Sequence, residues 1–230
     1  MKITTVFLDA GGVILDESEH EKERAELAVE VLGTVVSGYS TSQYFSDVEE
    51  AVSVLCPSAY QYVFWKYLKN DRSQFDKLFG CFKDKWKERK PPLTLTQGLE
   101  NEVKAISRDF KIGIAGQYGK EVLELLEKES ILNCFAYRFT QDDFCITKPD
   151  PRYYEQILKK CGVEPKESIM VGDRIDKDII PARQLGMRTI LVRMGLYKNQ
   201  QPRIPFEISD LELDSVSGLA KAVLKLAQKK

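Results

Sequence analysis

The sequence has no apolar run approaching the roughly 18–20 residues that span a bilayer, no CxxC pair and no marked excess of either charge. The first absence speaks against a helical membrane protein. The five cysteines (Cys56, Cys81, Cys134, Cys145 and Cys161) are odd in number and widely spaced. They therefore read as small buried hydrophobes rather than a disulfide framework or a zinc site. A formal net charge of −1 over 230 residues argues against a nucleic-acid-binding face, and Lys225, Lys229 and Lys230 are expected to form a solvated helix tail. No secretory signal opens the chain, because Met1–Leu8 leads directly into structured-looking sequence. Internal repeats and low-complexity tracts are also lacking. The expectation is a soluble, cytoplasmic protein whose length suits one domain plus an insertion.

What is present is an alternation. Ile3–Leu8 (ITTVFL) is a short apolar run that ends at Asp9-Ala10-Gly11-Gly12, which reads as a buried strand followed by a tight turn. Lys111–Ala115, Ser168–Gly172 and Arg188–Val192 are similar runs, and Ala136–Phe139 is a weaker one. Between them lie helical patterns. Leu99, Val103, Ile106 and Phe110 recur at spacings of four, three and four; Val122, Leu123, Leu125 and Leu126 mark a second helix, and Tyr154, Ile157 and Leu158 a third. Ile179, Ala182 and Leu185 mark a fourth, with Gly186 as its C-terminal stop, and Leu219, Val223, Leu224 and Ala227 the last. Such alternation implies βαβ units and a parallel sheet covered on both faces. From about Asp16 to Pro91 it breaks down. Helices are expected there over Glu21–Leu32, Asp47–Leu55, Tyr60–Lys69 and Ser73–Lys90, ended by Pro91-Pro92.

Ligands of parallel sheets bind beyond the carboxyl ends of the strands. At those ends stand Asp9, Gly116-Gln117, Lys148 in Thr147-Lys148-Pro149-Asp150, and the acidic run Asp173, Asp176 and Asp178. Phosphoryl transfer is the chemistry such a set could support. A carboxylate approaches a phosphoryl group only when a cation and a lysine neutralise the repulsion. Mg2+ takes oxygen ligands and keeps several waters. Asp9, the Gly11 carbonyl and Asp173 could hold it, with Asp178 on a bound water. Against this stands the plain alternative that each aspartate caps a turn or helix, the reading preferred for Asp176.

These residues resemble the motifs of the haloacid dehalogenase superfamily. Val6–Asp16 (VFLDAGGVILD) resembles its first motif, Lys148–Leu158 (KPDPRYYEQIL) its third and Ser168–Val192 its fourth. The resemblance covers the whole chain. It implies an α/β fold, with a Rossmann-like parallel-sheet core over residues 1–15 and 92–230 and an inserted helical cap domain over residues 16–91. It further implies a Mg2+-dependent phosphatase acting on a small phosphorylated metabolite, with Asp9 and Lys148 catalytic, Asp9, Gly11, Asp173 and Asp178 about the metal, and Gly116, Gln117 and Lys148 toward the substrate. The expected partners are that small molecule and, at most, a second copy in a homodimer, with no nucleic acid and no membrane. A bacterial receiver domain also combines acidic residues with a lysine, but it is far shorter and orders them differently.

The sequence departs from the family pattern at two places. Two residues after the nucleophile, where family phosphatases carry an acid–base aspartate, stands Gly11. Where the second motif ends in a phosphate-binding Ser or Thr stand Gly116 and Gln117, whose backbone N–H groups and side-chain amide are the candidate substitutes. Three readings stay open. The chain acts on esters with good leaving groups, or borrows an acid from water or from Glu17, Glu19 or His20, with an exposed His20 at a helix start as the plain alternative. It is a weakly active or non-catalytic phospho-ligand binder. Or it is a carbon–halogen hydrolase, which needs no proton donor and no metal, or a phosphonate-cleaving relative with Lys22 as its Schiff-base lysine. The aromatic stretch Tyr60–Leu68 is expected to build the cap's own core. Arg72, Arg89 and Arg152 are candidate anion binders that nothing separates from surface charges.

Overall fold

In Val6-Phe7-Leu8 the side chains alternate between the two faces of the central strand. Val6 and Leu8 join one buried cluster and Phe7 the other, as the two-residue period of a strand requires. All three are fully buried, so this strand is covered on both faces. The computed structural model describes residues 2–228; Met1, Lys229 and Lys230 lie outside the described residues, and Lys225 of the expected tail is exposed.

The elements run in order β1 (Thr5–Leu8), β2 (Leu15–Asp16), α1 (Ser18–Leu32), α2 (Thr41–Ser53), α3 (Ala59–Leu68), α4 (Arg72–Arg89), β3 (Thr94–Leu95), α5 (Leu99–Ile106), β4 (Lys111–Ile114), α6 (Glu121–Lys128), β5 (Phe135–Tyr137), α7 (Pro151–Cys161), β6 (Ser168–Gly172), α8 (Ile180–Leu185), β7 (Arg188–Val192), β8 (Leu211–Leu213) and α9 (Leu219–Gln228). Among the described residues the main sheet has six strands, in the order β5-β4-β1-β6-β7-β8, and every neighbouring pair is parallel. This is the expected Rossmann-like α/β fold. Apolar side chains of α5, α6 and α9 cover the Val6 and Leu8 face, and those of α7 and α8 the Phe7 face.

Two units separate by their internal contacts: Met1–Asp16 with Leu93–Lys230, and Glu17–Pro92. The first holds the sheet. The short antiparallel pair β2–β3, with Leu15 opposite Leu95, closes it beside the point where the chain leaves and returns. The second unit is α1–α4. Its interior is Leu27, Val31, Tyr44, Val48, Val63, Phe64 and Phe82 among others, all less than 5% exposed. Asp47, fully buried, accepts hydrogen bonds from the Tyr39 and Tyr67 hydroxyls, the Gln43 amide and the Lys66 ammonium. The unit therefore carries a buried charge whose hydrogen bonds are satisfied.

Several expectations need correction. Phe110 lies beyond the end of α5, and its N–H bonds to the Ile106 carbonyl in the turn that follows. The strand β8 was not foreseen, because Leu-Glu-Leu at a sheet edge offers only three residues of pattern. The cysteines are not buried: Cys81 and Cys145 are exposed, and the other three are half-buried. All five are free thiols. The aromatic stretch divides. Phe64 is core, Trp65 is 40% exposed, and the hydroxyls of Tyr60, Tyr62 and Tyr67 donate to Glu21, Glu50 and Asp47. Among the described residues no helix is long and apolar enough to cross a membrane.

Phe64 and Trp65 give a direct test of this packing. Phe64→Ala should cost about 3–5 kcal/mol, and Trp65→Ala, exposed, less than half of that. Urea unfolding of the two variants measures the difference; equal losses would contradict the packing described.

Candidate active site

Strand register brings the candidate residues together. Leu8 stands opposite Ile114 on one side and Val171 on the other, so Asp9 emerges beside Ala115-Gly116 and Gly172-Asp173. The Asp9 N–H donates to the Val171 carbonyl at 2.8 Å, and the Ala115 N–H to the Leu8 carbonyl at 2.8 Å. From β1 the chain order runs to β4 and β5 on one side and to β6, β7 and β8 on the other. The carboxyl end of β1 is thus the switch point at which open parallel sheets bind ligands.

Lys148 arrives from the loop before α7, a helix begun by Pro151 at its first turn and by Asp150, whose side chain accepts from the Arg152 N–H. Its ammonium lies 2.8 Å from Asp9 Oδ1 and 2.6 Å from Asp178 Oδ1, and its side chain is 3% exposed. One ligand oxygen from each of Asp9, Asp173 and Asp178 lies within 4.8 Å of the others, and all three residues are buried. Asp178 also accepts from the Tyr154 hydroxyl at 3.1 Å and the Arg174 N–H at 3.1 Å. Lys148 pairs with two of these buried carboxylates, and three acidic oxygens gathered in one buried place suit a cation. The donors are all oxygen, which suits a hard divalent ion rather than a thiophilic one.

Burial, then the neighbouring Asp178, pushes the Asp9 carboxyl up to about 7, against the pull of Lys148. For Lys148 burial works against the charged form, but Asp178 and Asp9 outweigh it and hold the ammonium well above the ordinary lysine range.

Close packing explains the glycines. A Cβ on Gly12, which adopts a left-handed φ of +71°, would stand 2.4 Å from Asp173 Oδ2. One on Gly172 would stand 2.3 Å from Asp178 Oδ2, and one on Gly116 2.2 Å from the Ala10 Cβ. Gly116 thus sits hard against the turn that follows β1, and its carbonyl accepts from the Tyr153 hydroxyl at 3.0 Å. Gln117 is half-buried next to it. Gly11 is partly exposed within the turn and bridges to Leu15.

The remaining candidates separate from this cluster. Asp176 is not a helix cap. It pairs with the buried Arg174 at 3.1 and 2.6 Å and accepts from Gln200 Nε2 at 2.8 Å. The Arg174 guanidinium stacks 3.9 Å from the Tyr197 ring centre, and Gln200 Oε1 accepts from the Ile175 N–H at 2.6 Å. Ile175–Ile179 forms a π-helical turn, a form often met at functional sites. The sequence gives no sign of the Gln200 partnership, which joins residues 24 apart. Tyr153 and Tyr154 were also missed as site neighbours, although their pairing at the start of an apolar helix was visible.

His20 is 2% exposed, not a surface residue. Within its own unit its Nε2 lies 2.8 Å from the Pro91 carbonyl, and its ring meets Trp86 edge-on. Lys22 and Glu19 are exposed and paired with each other. Arg72, Arg89 and Arg152 are spent on Asp76, on Glu23 and Glu30, and on Asp150.

Residues 145–217, which include the Asp173–Asp178 loop, match the family described as HAD-hydrolase-like. Over 120 residues the chain is 32% identical to the glyceraldehyde 3-phosphate phosphatase of Methanopyrus kandleri, and that alignment spans 52% of each protein. Over that stretch the chain is similar to the haloacid dehalogenase-like hydrolases. It spans only about half the length of that curated relative. The fold extends over nearly all of two solved structures at low identity. A haloacid dehalogenase-like family protein from Streptococcus pneumoniae superposes with a TM-score of 0.69 at 16% identity, covering 98% of this chain and 99% of that one. The HAD hydrolase YfnB of Bacillus subtilis, solved with magnesium bound, superposes with a TM-score of 0.63 at 16% identity, covering 97% of this chain and 100% of that one.

Two measurements test the geometry. A carboxyl held above its unfolded value makes the folded state the tighter proton binder. Its contribution to stability is therefore full below about 4 and lost as pH rises through about 7. Metal-free protein should lose melting temperature across that window, Asp9→Asn should flatten the loss, and a Tm profile identical in both proteins would refute the assignment. Gly12→Ala should displace the Asp173 carboxylate and weaken divalent-ion binding by at least about tenfold, in the range that perturbing a metal ligand's support produces; titration calorimetry with Mg2+ would read this, and unchanged affinity would count against the packing argument.

Proposed function

We propose that this chain is a Mg2+-dependent phosphohydrolase acting on small phosphorylated metabolites through an aspartyl-phosphate formed at Asp9. The observation that carries the reading is the gathering of three buried carboxylates at the switch point of the sheet, with one lysine paired to two of them. Asp9, Asp173 and the Gly11 carbonyl would hold the ion, and Asp178 would hold one of its waters. When bound, Mg2+ supplies the positive charge that lets one anion approach another.

The residues of the chain do the rest. Asp9 stands at the end of a fully buried strand, so its carboxylate is offered from a fixed position. Lys148 bridges Asp9 and Asp178 and can follow charge as it passes from carboxylate to phosphoryl oxygen. The N–H groups of Gly116 and Gln117 enter no backbone hydrogen bond among the described residues, and they are the candidate phosphate donors in place of a hydroxyl. The inserted helical unit, residues 17–92, is the candidate cap that would select substrate and exclude water.

The relatives support the same reading: one is named for hydrolysing glyceraldehyde 3-phosphate, and one solved neighbour holds magnesium. A carbon–halogen hydrolase would have no use for the third carboxylate. A binder without turnover is favoured by one observation, the crowding of Gly116 against Ala10 where a phosphate-binding hydroxyl would stand.

An assay with a generic aryl phosphate decides among these. Turnover should require Mg2+ and fall by at least about 1,000-fold in Asp9→Asn, in the range that loss of a covalent nucleophile produces. Turnover of a haloacid in EDTA, or binding of a phosphate mimic with no turnover at all, would displace the reading.

A further inference from the structure

Proton donors are scarce around Asp9. Gly11, two residues on, has no side chain to offer. The Lys148 ammonium is engaged with both Asp9 and Asp178. The Tyr153 hydroxyl donates to the Gly116 carbonyl, and the Tyr154 hydroxyl lies 3.0 Å from the Lys177 carbonyl and 3.1 Å from Asp178 Oδ1. Arg174 is committed to Asp176. In the proposed site Asp173 and Asp178 are taken up by the cation and its water. Within the sheet-bearing unit the site can neutralise a phosphoryl group, but it has no acid committed to a departing oxygen.

That lack selects among leaving groups. An alkyl alkoxide, whose conjugate acid is comparable to water at about 16, departs poorly without a proton. A phenolate, with a conjugate acid near 10, departs more easily, and a carboxylate, near 4, needs no proton at all. The second half of the proposed reaction already meets this condition, because the group expelled from an aspartyl-phosphate is the Asp9 carboxylate itself.

We infer that the substrates are phosphoric anhydrides, meaning acyl phosphates and phosphoanhydrides, rather than alkyl phosphate esters. The inference rests on the phosphohydrolase reading above and narrows it. For an acyl phosphate, an Asp9 oxygen attacks phosphorus and the bond from phosphorus to the acyl oxygen breaks. The electron pair leaves on a carboxylate that takes up no proton. Water then attacks the aspartyl-phosphate and the Asp9 oxygen–phosphorus bond breaks, its pair returning to the carboxylate. One water proton passes to solvent and inorganic phosphate is released. Lys177, half-buried in the same loop and without an ion pair among the described residues, is the competing donor that a test must separate.

The test is a leaving-group series with Mg2+: acetyl phosphate, phenyl phosphates bearing graded substituents, and glycerol phosphate. The expected result is a kcat/KM that falls steeply with leaving-group basicity, with glycerol phosphate at least about 100-fold below acetyl phosphate, the range that a missing general acid accounts for. Gly11 is not among the glycines with a left-handed backbone, so an aspartate there meets no strain of that kind. Gly11→Asp should raise the ratio of glycerol phosphate to acetyl phosphate turnover at least about tenfold, whatever it does to the absolute rates. If that variant fails to fold, the wild-type series decides alone. Equal turnover of glycerol phosphate and acetyl phosphate by wild type would overturn the inference and leave the phosphohydrolase reading standing. So would a flat series that becomes steep in Lys177→Met, which would assign the proton to Lys177. Absence of turnover across the whole series would remove both.

Discussion

The arrangement of this protein turns on like charge held in a buried place. Asp9, Asp173 and Asp178 bring their oxygens within 4.8 Å of one another, and Lys148 pairs with two of them. In a medium less polarisable than water, each such carboxylate costs free energy unless a partner is close. The positions of Lys148, the Tyr154 hydroxyl and the Arg174 N–H follow from that need, for each lies within hydrogen-bonding distance of one of the three. The same need makes a divalent cation the natural complement of the site. The raised proton affinity of Asp9 comes first from its burial and then from the neighbouring Asp178.

Holding carboxylates this close demands backbone that comes closer still. Gly12 and Gly172 are the points at which a single methyl group would strike a site carboxylate. The loop after β6 meets the demand differently. There a π-helical turn carries Asp178 back to the Arg174 N–H. Asp176 turns away to hold Arg174, with Gln200 and Tyr197 completing the enclosure. Two neighbouring aspartates of one short run thus take unrelated tasks: one faces the lysine, and the other ties the loop to a segment far along the chain.

Phosphoryl chemistry on such a site separates into charge neutralisation and proton supply. The first falls to Lys148 and to the cation that the three carboxylates would hold. The second is not provided, because Gly11, within the turn after β1, has no side chain to supply an acid. An enzyme built this way would be selective through the acidity of what it expels, a criterion distinct from the shape of the rest of the substrate.

Much of this was legible in the sequence. Short apolar runs separated by helical periods specify a parallel sheet, because only strands buried on both faces read as unbroken apolar segments. Asp9, Lys148, Asp173 and Asp178 could be named because each follows or precedes such a run. The helices of the insertion announced themselves by period and by Pro91-Pro92. The burial of His20, the exposure of Cys81 and Cys145, and the task of Asp176 were not legible. A residue's exposure depends on which neighbours the fold sets against it, and local pattern carries no information about partners many residues distant. The sequence by itself determined the order of strands and helices and the chemical types at the strand ends. Only the tertiary structure decided which of those groups share a space, since register across β4, β1 and β6 converts separations of more than a hundred residues into a few ångströms.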